Sequence, residues 1–282
     1  MTKNIAILLM LVLSFSYCHS QIPIEKFRAE IERLDTEKQI TQYWNNLYKI
    51  DQEILVNTTD LKVTDSISIS NMIKTALIYE IHGTKGYNSN GYSGFVPILN
   101  LSHNRIGKSQ IAYWPIIEKC KEIGGAIESF GGKYPAYQLE SVALTFYNYS
   151  LFNQEDKYSA LISKLSKIET GNIVDELLKS FEEQNELRKF SEVEILNSWY
   201  RQSFNDRTDK GEFSIVRMSD DNLYLKKYNR IQKLELIKTD AKSKIYRIED
   251  EPFGWNYLYG NDGSLTLIDD KENVLINYTL AK

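Results

Sequence analysis

Trp255-Asn256-Tyr257-Leu258-Tyr259-Gly260-Asn261-Asp262-Gly263-Ser264-Leu265-Thr266-Leu267 decides how the second half of this chain folds. Its apolar side chains, Trp255, Tyr257 and Tyr259, then Leu265 and Leu267, recur at every second residue, the period of a strand with one buried face. Asn261-Asp262-Gly263 between them is a hairpin signal, because Asp-Gly tolerates the positive φ that tight turns demand. The same alternation extends in both directions. Phe213 and Ile215, Leu223 and Leu225, Leu234 and Leu236, and Tyr246 and Ile248 precede the stretch; Val274, Ile276, Tyr278 and Leu280 follow it. Polar turns such as Ser219-Asp220-Asp221-Asn222 and Asp269-Asp270-Lys271 separate the runs. The pattern predicts an antiparallel meander of about six or seven strands, a partial barrel or a sandwich.

Upstream the period is helical. Phe27, Ile31 and Leu34 follow i, i+4, i+7, and Thr36 with Gln39 forms a capping-box pair opening a second helix on Ile40, Trp44, Leu47 and Ile54. A third helix is expected from about Ser68 to His82, stopped by Gly83. Pro115 to Ile123 and Pro135 to Tyr149 read as two more, each with its proline in the first turn. Lys157 to Ser166 and Asn172 to Lys189 complete the set. Glu182-Glu183-Gln184-Asn185-Glu186 has no apolar face and is expected to bridge to the next domain in water. The fold class is therefore α+β: an all-α helical domain over residues 21–190, then an antiparallel β domain over residues 191–282.

The first twenty residues read as an address. Lys3 gives a positive start, Ile5 to Leu13 an apolar run, and Ser14 to Ser20 a small polar stretch ending before Gln21. That is the layout of a secretory signal peptide, and the run is too short for a membrane span. Export to the periplasm or exterior is expected. Phe15 and Tyr17 do not suit lipid attachment at Cys18. After cleavage Cys120 is the only cysteine, so no intramolecular disulfide can form, and a small buried helix residue is its expected role.

The chain has 282 residues, 34 basic and 38 acidic, a formal net charge of −4. The acidic excess lies in the helical half. There is no basic surplus to hold a phosphate backbone, so nucleic acid is excluded as the expected partner. Gly107-Lys108-Ser109 lacks the upstream glycine of a phosphate-binding loop, and no Gly-x-Ser-x-Gly elbow occurs.

About thirty residues between the third and fourth helices do not read as helix. They open Gly83-Thr84-Lys85-Gly86-Tyr87-Asn88-Ser89-Asn90-Gly91-Tyr92-Ser93-Gly94 and run through apolar Phe95 to Leu101 to Ser102-His103-Asn104-Arg105. A long Gly/Tyr/Asn loop is an adaptable contact surface. Tyr87, Tyr92, Asn104, Arg105 and His82 are the candidate ligand-binding residues. His82 and His103 flank the loop, and imidazole is the side chain that best moves a proton near neutral pH. His82 also suits a helix C-terminus by charge alone. Asp51, Glu80, Glu118 and Glu140 are the carboxylates at hand, but no metal-ligand spacing such as His-Glu-x-x-His is present. No metal and no cofactor is expected.

The order Asp51-Gln52, Asn71, Gly83, His103, Gly124 resembles a bacterial domain family of unknown function, marked by an Asp-Gln pair, an Asn opening a helix, a Gly after it, a lone His and a helix closed by Gly. The resemblance covers about residues 51–140 and implies Asp51, Gln52 and His103 as a joint site. The second half is similar to small lipocalin-like barrels, but reads first as a structural module whose apolar face is its own core. Function is left with two expectations. One is an exported binding or accessory protein of the envelope or exterior, taking a small molecule, sugar, peptide or envelope protein. The other is a hydrolase in which Asp51 orients His103 as base.

Overall fold

The computed structural model describes residues 22–55, 57–87, 92–122, 142, 155–201, 213–227 and 230–281. The leader, the helix expected from Pro135 to Tyr149 (Val142 apart), Gly124, Glu140 and the loop tip 88–91 lie outside the described residues. Among the described residues seven α-helices come first: α1 (Ile24–Glu32), α2 (Glu37–Lys49), α3 (Leu61–His82), α4 (Val96–His103), α5 (Gly107–Glu122), α6 (Glu155–Leu165) and α7 (Ile173–Leu187). A π-helical turn, Ile50–Leu55, prolongs α2, and a 3-10 turn, Gly83–Gly86, follows α3.

The caps explain the boundaries. Thr36 and Gln39 form the reciprocal box, with the backbone N–H of Thr36 donating to Gln39 Oε1 at 2.9 Å. Asp60 caps α3 through the N–H of Lys62 at 2.9 Å, so that helix starts a full two turns before Ser68. Asn71, expected to open a helix, therefore sits in the middle of one. Gly83 ends α3 at φ +55, a conformation that favours glycine.

Two expectations are corrected in the next stretch. The apolar residues 96–101 are not a tethered loop but α4, a short helix buried on every side and so without a helical period to read. Pro115 does not start a helix; it lies inside α5. The start signal is Asn104, whose Oδ1 accepts from the N–H of Ile106 at 2.8 Å and from Ser109 Oγ at 2.7 Å. Burial of Tyr113, Trp114, Ile116, Ile117 and Cys120 carries the helix through its proline, despite a cost of about 3 kcal/mol for proline in a helix interior.

Eight strands follow: β1 (Glu192–Arg201), β2 (Phe213–Met218), β3 (Leu223–Lys227), β4 (Arg230–Thr239), β5 (Ser243–Ile248), β6 (Asn256–Gly260), β7 (Leu265–Ile268) and β8 (Val274–Leu280). Each pairs antiparallel with the next, and β1 pairs with β8 through Trp199 and Leu280, Tyr200 and Thr279, and Arg201 and Tyr278. The sheet is a closed barrel, where the sequence left partial barrel and sandwich open. Alternating residues fill it: Phe213 and Tyr278 meet at 5.2 Å, Tyr257 and Tyr278 at 6.3 Å between ring centroids. An eight-stranded barrel is just wide enough for side chains to occupy. Gly263 takes φ +82 at the Asp-Gly turn, and its carbonyl accepts from Trp199 Nε1 at 2.8 Å, pinning that hairpin to β1. Leu236, Val274 and Leu280, expected on the buried face, are exposed; the last two are the end residues of β8, and Leu236 adjoins a register shift.

The halves are packed together. One buried cluster runs from Trp44, Met72 and Trp114 of the helices to Trp199, Trp255 and Tyr278 of the barrel. Glu182 and Glu186 at the acidic end of α7 are exposed, but Leu187 beside them packs on the barrel cluster of Val216, Met218 and Tyr224. Lys108 reaches Glu183 at 3.1 Å and Asp250 of the barrel at 2.8 Å, and Lys164 Nζ donates to the carbonyl of Phe253 at 2.7 Å. Among the described residues no helix is long and apolar enough to cross a membrane.

Candidate functional site

The π-helical turn after α2 places Asp51 inside the protein. A π turn widens the helix by one residue and recurs at functional sites. Asp51 is fully buried, and its Oδ2 and Oδ1 lie 2.8 and 3.0 Å from Nδ1 of His103, the last residue of α4. The next residue on the turn, Gln52, donates from Nε2 to Asp51 Oδ2 at 2.7 Å. The three residues singled out by sequence, separated by some fifty positions, thus form one hydrogen-bonded chain. An ionised carboxylate can only accept, so in the neutral imidazole this contact favours the tautomer with the proton on Nδ1 and the lone pair on Nε2. The His103 side chain keeps 37% of its surface exposed, and among the described residues Nε2 has no hydrogen-bond partner. A buried acid behind an imidazole and solvent in front of it is the arrangement of a general base with its orienting group.

The other candidates divide. Tyr92 is 41% exposed and its ring stacks on Tyr48 of α2, centroids 3.8 Å apart and planes within 2°. Tyr87 is not part of that surface. It is buried against Trp44 and Tyr79, and its hydroxyl donates to the carbonyl of Thr75 at 2.7 Å. Burial holds its phenol well above the usual tyrosine range. Asn104 is fully buried as the C-cap of α4, its Oδ1 taken up by the Ile106 N–H and the Ser109 hydroxyl. Arg105 is exposed. His82 donates from Nε2 to the carbonyl of Ile31 at 2.8 Å, a tie between α3 and α1 at the end of its helix. Glu80 is held by Arg28 at 2.7 Å.

Cys120 is buried, and burial raises its thiol far above the reactive range. Among the described residues no group of three or more His, Cys, Asp or Glu is placed to hold a metal.

Sequence reasoning missed what lies between the halves. Asp65 of α3 is buried and paired with Arg188, the residue after α7. Burial raises the Asp65 carboxyl despite that partner. Glu251, after β5, is 9% exposed and accepts from the backbone N–H groups of Phe253 at 2.5 Å and Trp255 at 2.6 Å. It forms part of the wall of a cavity of about 520 Å³ between α5, α7 and the barrel. No sequence signal marks either carboxylate, because each is buried by elements distant in the chain. No family model matches this chain, and comparison with curated proteins and with solved structures found no match.

Proposed function

We propose that this is an exported protein whose helical half performs acid–base chemistry at His103, hydrolysis being the simplest reaction of that kind. The observation that carries the reading is the fully buried Asp51 carboxylate set with both oxygens on Nδ1 of a histidine whose opposite edge is open. Nε2 takes a proton from a water molecule as that water attacks, and returns it to the leaving group. Asp51 fixes the tautomer and stabilises the imidazolium formed between these two transfers, and Gln52 holds Asp51. The test is hydrolysis of a panel of chromogenic esters, phosphodiesters and glycosides by the wild type and by His103→Gln. Turnover that vanishes in the variant supports the reading. Turnover of none of the panel, or turnover that survives the substitution, ends it.

A second reading, a binding or accessory protein of the envelope, is supported by the exposed Tyr92 ring on its Tyr48 platform. Stacked aromatics of this kind hold sugar faces and peptide side chains. Tyr92→Ala should then abolish retention on immobilised cell-wall polysaccharide or peptide arrays while lowering the Tm by no more than a few degrees. Export itself is checked by the N-terminal mass of the protein recovered from a bacterial periplasm, expected to begin at Gln21.

A further inference from the structure

We propose that the cavity between the helical half and the barrel binds a small organic cation with an apolar body. Its volume of about 520 Å³ falls within the range of sites that enclose small molecules. Apolar side chains come from both halves: Ile111 of α5, Leu187 of α7, Ile231 of β4 and Ile248 of β5. The charges are one-sided, with seven carboxylates and three ammonium groups in the lining.

Two of the three ammonium groups are already committed. Lys108 lies between Glu183 and Asp250, and Lys233 lies 3.8 Å from Glu249. Asp220 accepts from the Tyr224 hydroxyl at 2.7 Å, and Glu186 pairs outward with Lys189. Glu251 is different. It is the most buried carboxylate of the wall, and its donors among the described residues are backbone N–H groups of its own loop, those of Phe253, Gly254 and Trp255. Buried carboxylates are ordinarily paired with a cation, because desolvation is otherwise uncompensated. Burial pushes the Glu251 carboxyl up to about 7, in keeping with that missing partner.

A second, independent group points the same way. Gln184 Nε2 is buried in the same wall with no acceptor among the described residues. An ammonium beside Glu251, an apolar body across the four aliphatic side chains, and one hydroxyl or carbonyl oxygen for Gln184 would satisfy every group named. An anionic ligand would meet the carboxylate excess instead.

Tyramine, an aryl-alkyl ammonium with a phenol oxygen, is the probe, and 4-hydroxyphenylacetate is its anionic counterpart. Calorimetric titration of the full chain should give saturable binding of the amine and none of the acid. Glu251→Gln should weaken the amine by about tenfold or more, the loss of one buried charge partner. Because Glu251 also holds its loop, Ile111→Trp is the second variant: it fills the cavity from α5 and should abolish binding with Glu251 intact. Absence of saturable amine binding overturns the proposal. So does equal binding of the acid, or amine binding that survives Ile111→Trp.

Discussion

Asp51 and His103 meet through both carboxylate oxygens, 2.8 and 3.0 Å from a single ring nitrogen. Such a contact fixes the tautomer of the imidazole. Asp51→Asn offers an amide in place of a pure acceptor, so Nδ1 loses its guaranteed proton. The ¹⁵N spectrum of His103 should show protonated Nδ1 in the wild type and a mixture of tautomers in the variant. Any hydrolysis that depends on His103 should fall by about 10²–10⁴-fold. A wild-type spectrum with the proton on Nε2 would refute the assigned roles.

Glu251 sets a pH dependence whose sign follows from its environment. Burial raises it from the ordinary glutamate value of 4.5 to about 7 in the folded chain. Between those values the folded protein holds a proton that the unfolded chain has released. Its contribution to stability is therefore fully present below about 4.5 and is lost as the pH rises through about 7, amounting to about 3 kcal/mol in all. Urea unfolding at pH 5 and pH 8 should show that loss. In Glu251→Gln the difference between the two pH values should shrink by a similar amount.

The two polar ties between distant elements differ in worth because they differ in burial. Arg188→Met strands the buried Asp65 carboxylate and should lower unfolding stability by about 3 kcal/mol. Lys108→Met breaks two ion pairs at once, yet all three groups are well exposed, so the loss should stay below about 1 kcal/mol. Equal losses for the two variants would contradict this ordering.

Tyr87 and Tyr92 also separate. Tyr87→Ala empties a packed site beside Trp44 and removes a donor from the Thr75 carbonyl, at a cost of about 3–5 kcal/mol. Tyr92→Ala removes one exposed stacked ring, at about 1 kcal/mol or less. Thermal unfolding of the two variants side by side decides it.

Local chemistry is what the amino-acid order displays best. Thr36 with Gln39, Gly83 and Asp262-Gly263 each act through bonds or dihedrals within a few residues, and all three appear where the sequence places them. The barrel seam could not be read, since nothing in Trp199 or Leu280 announces that they will pair across eighty positions. Pro115 misled because its local preference for a helix start gives way to the burial of the residues on either side of it. Asp51, Gln52 and His103 were legible as residue types with a common chemistry. Their meeting depends on a π turn that carries no sequence mark of its own. Glu251 and Asp65 were invisible because an isolated acidic residue in sequence reads as surface.

The seam between β1 and β8 also sets the order of assembly. The barrel wall lacks its last stave until Val274–Leu280 has left the ribosome, and the helical core shares a cluster with the barrel interior. Pairing Trp199 with Leu280 closes a loop of some eighty residues, the kind of distant contact that slows folding. The nascent chain therefore remains an incomplete structure until β8 has emerged, and removal of that strand should leave a protein with two open sheet edges rather than a slightly shorter barrel.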